Sequence, residues 1–269
     1  MINENQTSEF DIEIDGAILR VFHINISQEN PTIIFLHDSL GCIRQWKAFP
    51  ETLGQLTQCN VLIYDRQGYG QSSPFPISVR PKNYLEIEAN ILKKILDRLH
   101  INQPILFGHS DGGTIALIAA AIYPQKIGAI IVEGAHVFVE EISLKGIREA
   151  VKEYQTTDLR KRLYKYHGDK TDKVFSMWTD TWQSNTFRDW NIEHLLPNIT
   201  CPVLCIQGAN DEYGSIKQVD AIVNQISGQT TKFIVPNTGH TPHKTATKIT
   251  LDECAKFILS FKKNNSKHS

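Results

Sequence analysis

Short apolar runs alternate with longer amphipathic segments along most of this chain. The runs at 32–36, 61–64 and 127–132 are almost entirely apolar, as parallel strands buried on both faces usually are. Segment 84–99 instead carries its apolar residues at helical spacing, which predicts an amphipathic helix. This alternation predicts an α/β fold built on a doubly wound, mostly parallel sheet with right-handed crossovers.

The two ends of the chain show other patterns. Near the start, the β-like runs 11–14 and 17–26 flank Asp15-Gly16, a pair that favours the type I′ turn of a β-hairpin. We expect this hairpin to form the antiparallel edge of the sheet. At the other end, the Lys/Asn/Ser-rich tail from Lys262 is predicted to fray.

The strand–helix alternation stops near residue 137 and resumes after residue 197. Segment 137–196 consists of charged, helix-like stretches without a strand pattern. A length of 269 residues suits one large domain with an excursion of this size. The sequence therefore predicts a core formed by residues 1–136 and 197–269, with a helical cap inserted at 137–196.

This insertion contains three of the four tryptophans of the chain. Phe175, Trp178 and Trp182 are spaced i, i+3, i+7, so they share one face of a helix. Such a stripe either packs the insertion onto the core or contacts a substrate. Both can hold, because the inner face of an inserted lid also covers the pocket below it. Trp178 and Trp182 are therefore candidate pocket residues. Arg188 is a third candidate if it reaches inward, and its alternative is an ion pair with Asp189 or another acid of the insertion.

The stretch Ile105–Leu117 joins an apolar strand-like run to an alanine-rich helix through the sequence Gly-His-Ser-Asp-Gly-Gly. A strand that reverses sharply into a helix holds the intervening serine, Ser110, in a strained conformation with its hydroxyl exposed. Gly108 and Gly112 avoid a steric clash in this turn because they lack a Cβ. The pattern indicates a serine nucleophile at Ser110.

A serine hydroxyl needs a base to take its proton and a third group to orient that base. His240 follows the last predicted strand and is the candidate base, with His243 as its competitor. Asp211 follows the preceding strand and is the candidate orienting carboxylate, with Glu212 as the alternative. The candidate catalytic residues are therefore Ser110, Asp211 and His240.

The chain order Ser, Asp, His resembles that of the α/β-hydrolase superfamily, and the resemblance extends over essentially the whole length. The loop Tyr64–Ser72, with its Asp, Arg and two glycines, is similar to a glycine-rich stretch of that family. The resemblance implies an eight-stranded sheet and a helical cap inserted after the sixth strand.

Two backbone N–H groups are candidates for an oxyanion hole. One belongs to Asp111, at the start of the helix that follows the serine. The other, by resemblance to the family's His-Gly-x-x-Gly loop, belongs to Ser39 in the sequence His-Asp-Ser-Leu-Gly. This sequence departs from the family pattern at Asp38, where glycine is common, which makes the position of the second donor less defined.

Charge and cysteine content narrow the functional classes. With 28 basic and 29 acidic residues, the net charge of −1 gives no reason to expect nucleic acid or an anionic membrane as a partner. Five cysteines at scattered spacings suit reduced thiols, and Cys201 and Cys205 are better explained as core residues than as zinc ligands.

The sequence shows no signal peptide and no membrane-spanning stretch, so we expect a soluble cytoplasmic protein with a small-molecule substrate and no metal or other cofactor. It indicates nothing about oligomeric state.

Together these features predict a cofactor-independent serine hydrolase that cleaves a small or medium acyl ester or thioester. Hydrolysis of a carbon–carbon bond is the alternative within the same family. Enzymes of that class typically have asparagine before the nucleophile and tryptophan after the catalytic histidine, where this chain has His109 and Thr241. A ligand-binding protein that retains the fold without turnover is the alternative outside catalysis.

Overall fold

A computed structural model describes residues 6–27 and 29–265 of the chain. Strands and helices alternate along this part, as the apolar pattern predicts. The strands, numbered in chain order, are β1 (Gln6–Ile14), β2 (Ala17–Asn25), β3 (Thr32–Leu36), β4 (Asn60–Tyr64), β5 (Ile105–His109), β6 (Ala129–Glu133), β7 (Val203–Gly208) and β8 (Thr230–Val235). The α-helices are α1 (Phe49–Thr57), α2 (Tyr84–Arg98), α3 (Asp111–Ile122), α4 (Glu141–Thr156), α5 (Leu159–His167), α6 (Thr171–Gln183), α7 (Ile216–Gln225), α8 (Pro242–Thr245) and α9 (Thr247–Asn265).

The strands form one eight-stranded sheet in the order β1-β2-β4-β3-β5-β6-β7-β8. β2 pairs antiparallel with β1 and β4, and the remaining neighbours pair in parallel. In the hairpin turn, Asp15 and Gly16 have φ angles of 51° and 78°, both positive as a type I′ turn requires. The predicted α/β fold with a mostly parallel sheet is confirmed, and the hairpin lies at its edge.

Successive residues of the central strands face opposite sides of the sheet. Ile33 and Phe35 of β3 belong to an apolar cluster that includes residues of α1 and α9. Ile34 and Leu36 belong to a second cluster, which includes residues of α2, α3 and α7. Both faces are covered, which explains why these strands are apolar throughout rather than alternating.

The segment between β6 and β7 contains α4, α5 and α6, followed by a short 3₁₀ helix at Glu193–Asn198. Phe175, Trp178 and Trp182 lie on one face of α6 and are buried. Phe175 stacks on Tyr154 of α4 with ring centroids 3.8 Å apart. Part of the tryptophan stripe therefore packs the inserted helices together.

The C-terminal helix is longer than the sequence pattern suggests. Helix α9 continues to Asn265, and Lys262 donates through Nζ to the backbone carbonyl of Thr57, 2.8 Å away. The expectation that the tail frays from Lys262 is therefore wrong for residues 262–265, because helix α9 and this contact hold them in place. Residues 266–269 lie outside the described part of the chain.

The carboxyl ends of the parallel strands meet at one edge of the sheet, where ligands bind in open α/β folds. The loops after β3, β5, β6, β7 and β8 all emerge there. Among the described residues, no helix combines the length and apolar character needed to cross a lipid bilayer.

Candidate active site

The turn between β5 and α3 holds Ser110 in the left-handed region, with φ 54° and ψ −119°. Its flanking glycines leave no room for a side chain. A Cβ on Gly108 would lie 2.2 Å from the carbonyl oxygen of Gly112, and a Cβ on Gly112 would lie 1.9 Å from the carbonyl oxygen of Leu36. The strained turn that the sequence predicts is present, and it places the Ser110 side chain against a cavity.

His240 and Asp211 form a close pair beside this turn. His240 Nδ1 lies 2.9 and 3.0 Å from the two carboxylate oxygens of Asp211. The Asp211 carboxylate also accepts the backbone N–H groups of Tyr213 at 2.8 Å and Gly214 at 3.2 Å. Because the carboxylate can only accept when ionised, His240 Nδ1 carries the proton and Nε2 remains free to act as a base.

Electrostatic interactions shift the pKa values of both members of this pair. Burial disfavours the charge on Asp211, but His240 and the backbone donors outweigh burial, so the pKa of Asp211 lies below its ordinary value. Burial also lowers the pKa of His240, yet the charge and hydrogen bond of Asp211 outweigh it and the net pKa of His240 is raised. The imidazolium that forms when His240 takes a proton is thereby stabilised.

Ser110 and His240 line the same cavity, which has a volume of about 170 Å³. Within the described residues, Ser110 Oγ is not hydrogen-bonded to His240. Catalytic hydrogen bonds are often long without substrate and tighten when it binds. The site thus brings the serine and the free imidazole nitrogen to one wall of a small chamber.

The two candidate oxyanion donors also lie at this cavity. The N–H of Asp111 is at the first position of α3, where no intrahelical acceptor exists. The N–H of Ser39 has no hydrogen-bond acceptor within residues 6–27 and 29–265. Asp38, the departure from the family pattern, accepts the N–H of Leu40 at 3.0 Å and so holds the turn that contains Ser39.

The side chain of Asp111 is fixed on the far side of its helix turn. Tyr84 donates its hydroxyl to the Asp111 carboxylate at 3.2 Å, and Trp182 of the insertion donates to the same Tyr84 oxygen at 3.0 Å. Arg66 lies 3.9 Å from that carboxylate. The start of α3 is therefore connected by hydrogen bonds to the inserted helices.

The competitors named from the sequence have other contacts. His243 is buried and its Nδ1 lies 2.6 Å from the carboxylate of Glu133, at the end of β6. It does not line the cavity with Ser110. Glu212 accepts the backbone N–H of His240 at 3.1 Å rather than its ring. The structure thus pairs the His240 ring with Asp211, whereas Glu212 and His243 bind other groups.

His109, the residue before the serine, connects two loops of the site. Its Nε2 lies 2.9 Å from the carbonyl oxygen of His240, and its Nδ1 lies 3.2 Å from the carboxylate of Asp38. Burial raises the pKa of Asp38, but the hydrogen bond and charge of His109 outweigh burial and hold that pKa well below its usual range. Nothing in the sequence beyond its place in the motif marked this residue.

His109, Glu133 and His243 place nitrogen and oxygen atoms within 4.8 Å of one another, as a metal site would. Each of these side chains already has a protein partner. His243 Nδ1 is bound to Glu133, and His109 Nε2 is bound to the His240 carbonyl. These hydrogen bonds account for the positions of the three side chains.

The inserted helices contribute part of the cavity wall. Trp178 and Trp182 of α6 line it, together with Ser143 and Ile147 of α4. Trp178 and Trp182 are therefore buried residues that also line the chamber, and their contact with a substrate stays a prediction.

Arg188 is not a residue of this cavity, and its selection as a pocket residue is wrong. Its side chain is 59% exposed and pairs with Glu141 of α4 at 3.0 Å. Asp189, the nearer acid in sequence, pairs instead with Lys82. The physical reason is that the segment after α6 turns the guanidinium toward solvent, where it remains hydrated.

Several lining residues, among them His136 and Tyr213, were not found by sequence reasoning. His136 follows β6 and Tyr213 follows Asp211, so both occupy strand-end loops of the kind that carried the other candidates. Their position after a strand was the available signal, but no motif distinguished them from ordinary loop residues.

Comparison with known proteins agrees with this architecture. The sequence model of the alpha/beta hydrolase fold matches residues 31–191. The human protein serine hydrolase BPHL is 32% identical over 189 residues, which cover 68% of this chain and 64% of that protein. The chain thus spans slightly less than two thirds of the length of this relative. A 2-hydroxy-6-oxononadienedioate/2-hydroxy-6-oxononatrienedioate hydrolase of Escherichia coli O139:H28 (strain E24377A / ETEC) is 28% identical over 134 residues, 49% of this chain and 46% of that one.

Solved structures show the same fold. A serine hydrolase from the polyaromatic hydrocarbon-degrading bacterium Cycloclasticus zankles superposes with a TM-score of 0.78 at 15% identity, covering 94% of this chain and 98% of that one. At this identity the likeness concerns the fold alone. Because the family model covers more than half of the chain, and the sheet order and nucleophile turn agree with it, the protein belongs to the alpha/beta hydrolase fold family.

Proposed function

We propose that this protein is a cofactor-independent serine hydrolase that cleaves carboxylic esters or thioesters of small or medium acyl groups. The observation that carries the proposal is the convergence of three strand-end residues. Ser110 and His240 face one chamber, and Asp211 lies 2.9 Å behind the His240 ring. This is the nucleophile, base and orienting acid that acyl transfer requires.

The reaction follows from the positions of these groups. Ser110 Oγ attacks the substrate carbonyl carbon while His240 Nε2 takes the hydroxyl proton. The carbonyl electrons move to oxygen, and the N–H groups of Ser39 and Asp111 stabilise that oxyanion. Collapse expels the alcohol or thiol, which receives the proton from His240, and leaves an acyl group on Ser110. Water deprotonated by His240 then releases the acid.

We assign residues 137–196 the function of a cap over this chamber. Support comes from Ile147, Trp178 and Trp182, apolar residues of the insertion that line the cavity opposite the strand ends. A volume of about 170 Å³ suits a small acyl group and leaves little space for a long chain. The substrate is accordingly a small molecule.

Carbon–carbon bond hydrolysis is the rival reaction, and the E. coli relative named above acts on a dioate, a substrate with two carboxylates. The charges of the chamber disfavour such a substrate. Asp38 and Glu212 line it, whereas none of its described lining residues is lysine or arginine. Arg188, the only cationic pocket candidate, faces solvent. Like charges in a confined site repel an anionic ligand, so ester cleavage is the better fit.

A fluorophosphonate probe tests the proposal directly. Labelling of the wild-type protein, and loss of labelling in Ser110→Ala at unchanged thermal stability, is the expected result. The same preparation should hydrolyse short p-nitrophenyl esters with a kcat/KM at least tenfold above that for a ring-fission dienedioate. Failure of the folded wild-type protein to react with the probe would instead indicate a ligand-binding protein without turnover.

A further inference from the structure

The carbonyl oxygen of Asp38 is surrounded by hydrogen-bond donors. Arg66 donates to it through Nη2, 2.8 Å away, and His37 Nδ1 lies at the same distance. A longer bond of 3.3 Å comes from the N–H of Gly41, which closes a turn. This carbonyl belongs to the same peptide group as the Ser39 N–H, the second candidate oxyanion donor. The groups that fix the carbonyl therefore fix the donor as well.

The Asp38–Ser39 peptide bond is trans, so its C=O and N–H point in opposite directions. Because the carbonyl points at the buried side chains of Arg66 and His37, the Ser39 N–H points away from them. Ser39 lines the chamber, and its N–H has no acceptor among the described residues. Hydrogen bonds in a chain polarise one another, so donors on the carbonyl also strengthen the N–H as a donor.

The guanidinium of Arg66 makes its hydrogen bonds to this loop and to nothing else within residues 6–27 and 29–265. Nη2 donates to the carbonyl oxygens of His37 and Asp38, whereas Nε and Nη1 have no hydrogen-bond partner there. The side chain is 1% exposed. Burying a cation costs free energy, and a buried ion pair is weak evidence for stability. The contacts of Arg66 therefore point to a role in the site.

The His37 ring is held in the tautomer that donates to Asp38. Its Nε2 accepts the backbone N–H of Arg66 at 3.1 Å, so the ring proton is on Nδ1. Burial, followed by the charge of Arg66, holds the pKa of His37 well below its ordinary value and keeps the ring neutral. The Asp38 carbonyl thus receives one cationic and one neutral side-chain donor.

Arg66 also lies close to the residue that carries the other oxyanion donor. Its Nη1 is 3.9 Å from the carboxylate of Asp111, whose N–H is at the start of α3. A single guanidinium therefore contacts both segments that supply oxyanion donors, one through hydrogen bonds and the other through its charge.

We propose that Arg66 and His37 are positioning residues of the oxyanion hole, which hold and polarise the Asp38–Ser39 peptide so that its N–H binds the oxyanion. This proposal rests on the serine hydrolase function proposed above. Neither side chain lines the chamber, so both act through the peptide group. The proposal also explains why a buried arginine stands in the glycine-rich loop Tyr64–Ser72.

Replacing the carbonyl oxygen of a substrate by sulfur, a weak hydrogen-bond acceptor, probes the oxyanion hole. The probes are p-nitrophenyl butyrate and its thiono analogue, and the readout is the ratio of their kcat/KM values. The wild-type protein should prefer the oxygen ester. Loss of one oxyanion donor costs about 10²- to 10³-fold in kcat, so Arg66→Met, which displaces or weakens such a donor, should lower the ratio by at least about tenfold. Arg66→Lys keeps a cationic donor and should retain more of the ratio than Arg66→Met.

Arg80→Met is the matched control. Arg80 is also buried and lies beside the ring of Tyr69, but it donates to the carbonyl of Met177 on α6 rather than to the oxyanion loop. This variant should keep the wild-type ratio.

Two substitutions of His37 test the carbonyl contact with the guanidinium in place. The side-chain amide nitrogen of asparagine can take the position of Nδ1, whereas that of glutamine takes the position of Nε2. His37→Asn should therefore keep the ratio. His37→Gln should lower it by about 2- to 12-fold, the value of one neutral hydrogen bond.

Each ratio is measured on one protein, so partial unfolding and damage to the Ser110 machinery cancel from it. A wild-type ratio in folded Arg66→Met, or an equal fall in Arg80→Met, would overturn the positioning role. If the Arg66 variants do not fold, equal ratios in His37→Asn and His37→Gln would overturn it. A folded wild-type protein that reacts with neither ester nor a fluorophosphonate would contradict the proposed function itself.

Discussion

Replacing Asp211 by asparagine probes the orientation of the base without changing the size of the side chain. The backbone N–H groups of Tyr213 and Gly214 bind one carboxylate oxygen, at 2.8 and 3.2 Å. They will hold the asparagine carbonyl at that position, so the amide NH₂ group takes the other position, 3.0 Å from His240 Nδ1. His240 Nδ1 then lies 2.9 Å from the asparagine carbonyl, which can still accept its proton, and 3.0 Å from the NH₂ group, which donates and so favours the tautomer with the proton on Nε2.

The consequence for catalysis has a definite size and sign. A proton on Nε2 prevents His240 from accepting the Ser110 proton, and such a tautomer change costs on the order of 10⁴-fold in kcat. The wild-type pKa of His240 is raised because Asp211 outweighs burial. In Asp211→Asn that charge is gone while burial remains, so the pKa of His240 falls below its wild-type value, with Glu212 and Asp38 still raising it.

The measurement is kcat/KM for a p-nitrophenyl ester between pH 5 and 9. Neutral His240 is the proposed base, so wild-type activity should rise with pH through a pKa above the ordinary 6.5. The asparagine variant should be slower throughout, with its acid limb displaced to lower pH. Asp220→Asn, an exposed partner of Lys232, is the control and should leave both rate and profile unchanged. An acid limb that stays in place or moves upward, or a rate within tenfold of wild type, would refute the reasoning.

Three further substitutions have expected outcomes. Gly112→Ala should lower the free energy of unfolding by more than about 3 kcal/mol in chemical denaturation, because its Cβ would lie 1.9 Å from a backbone oxygen of β3 that cannot move away. His243→Ala should destabilise the protein by about 3 kcal/mol or more, since it removes the imidazole partner of the buried Glu133 and leaves that carboxylate the backbone N–H of residue 243, yet folded molecules should still react with a fluorophosphonate at low temperature. Arg188→Ala should keep ester kcat/KM within about fivefold of wild type, because exposed ion pairs such as that with Glu141 contribute little.

Local sequence patterns were sufficient to predict the fold and the turn that carries Ser110, the candidate nucleophile. Apolar runs and helical spacing depend on neighbouring residues, and so does the positive-φ turn at Asp15-Gly16. The strained serine turn likewise depends on glycines two positions away from Ser110. The rule that parallel strands end at one edge then brought the loops of Asp211 and His240 to the same place.

Side-chain partners were decided by packing between distant segments. His240 and His243 are three residues apart and chemically identical, and only the fold directs one to Asp211 and the other to Glu133. His109 bonds to the carbonyl of His240, 131 positions away in the chain. No local pattern encodes such a pairing, because it depends on how two loops approach across the sheet edge.

The same physical reason explains which features of the inserted segment 137–196 could be predicted from the sequence. Its sequence determined a helix with Trp178 and Trp182 on one face, since helical spacing is a local property. Whether Arg188 pointed inward depended on the placement of the inserted helices over the sheet. The sequence by itself determined which elements form and where the chain turns at Ser110, whereas the tertiary structure decided which polar atoms found partners, because hydrogen bonding and burial depend on contacts between residues far apart in the chain.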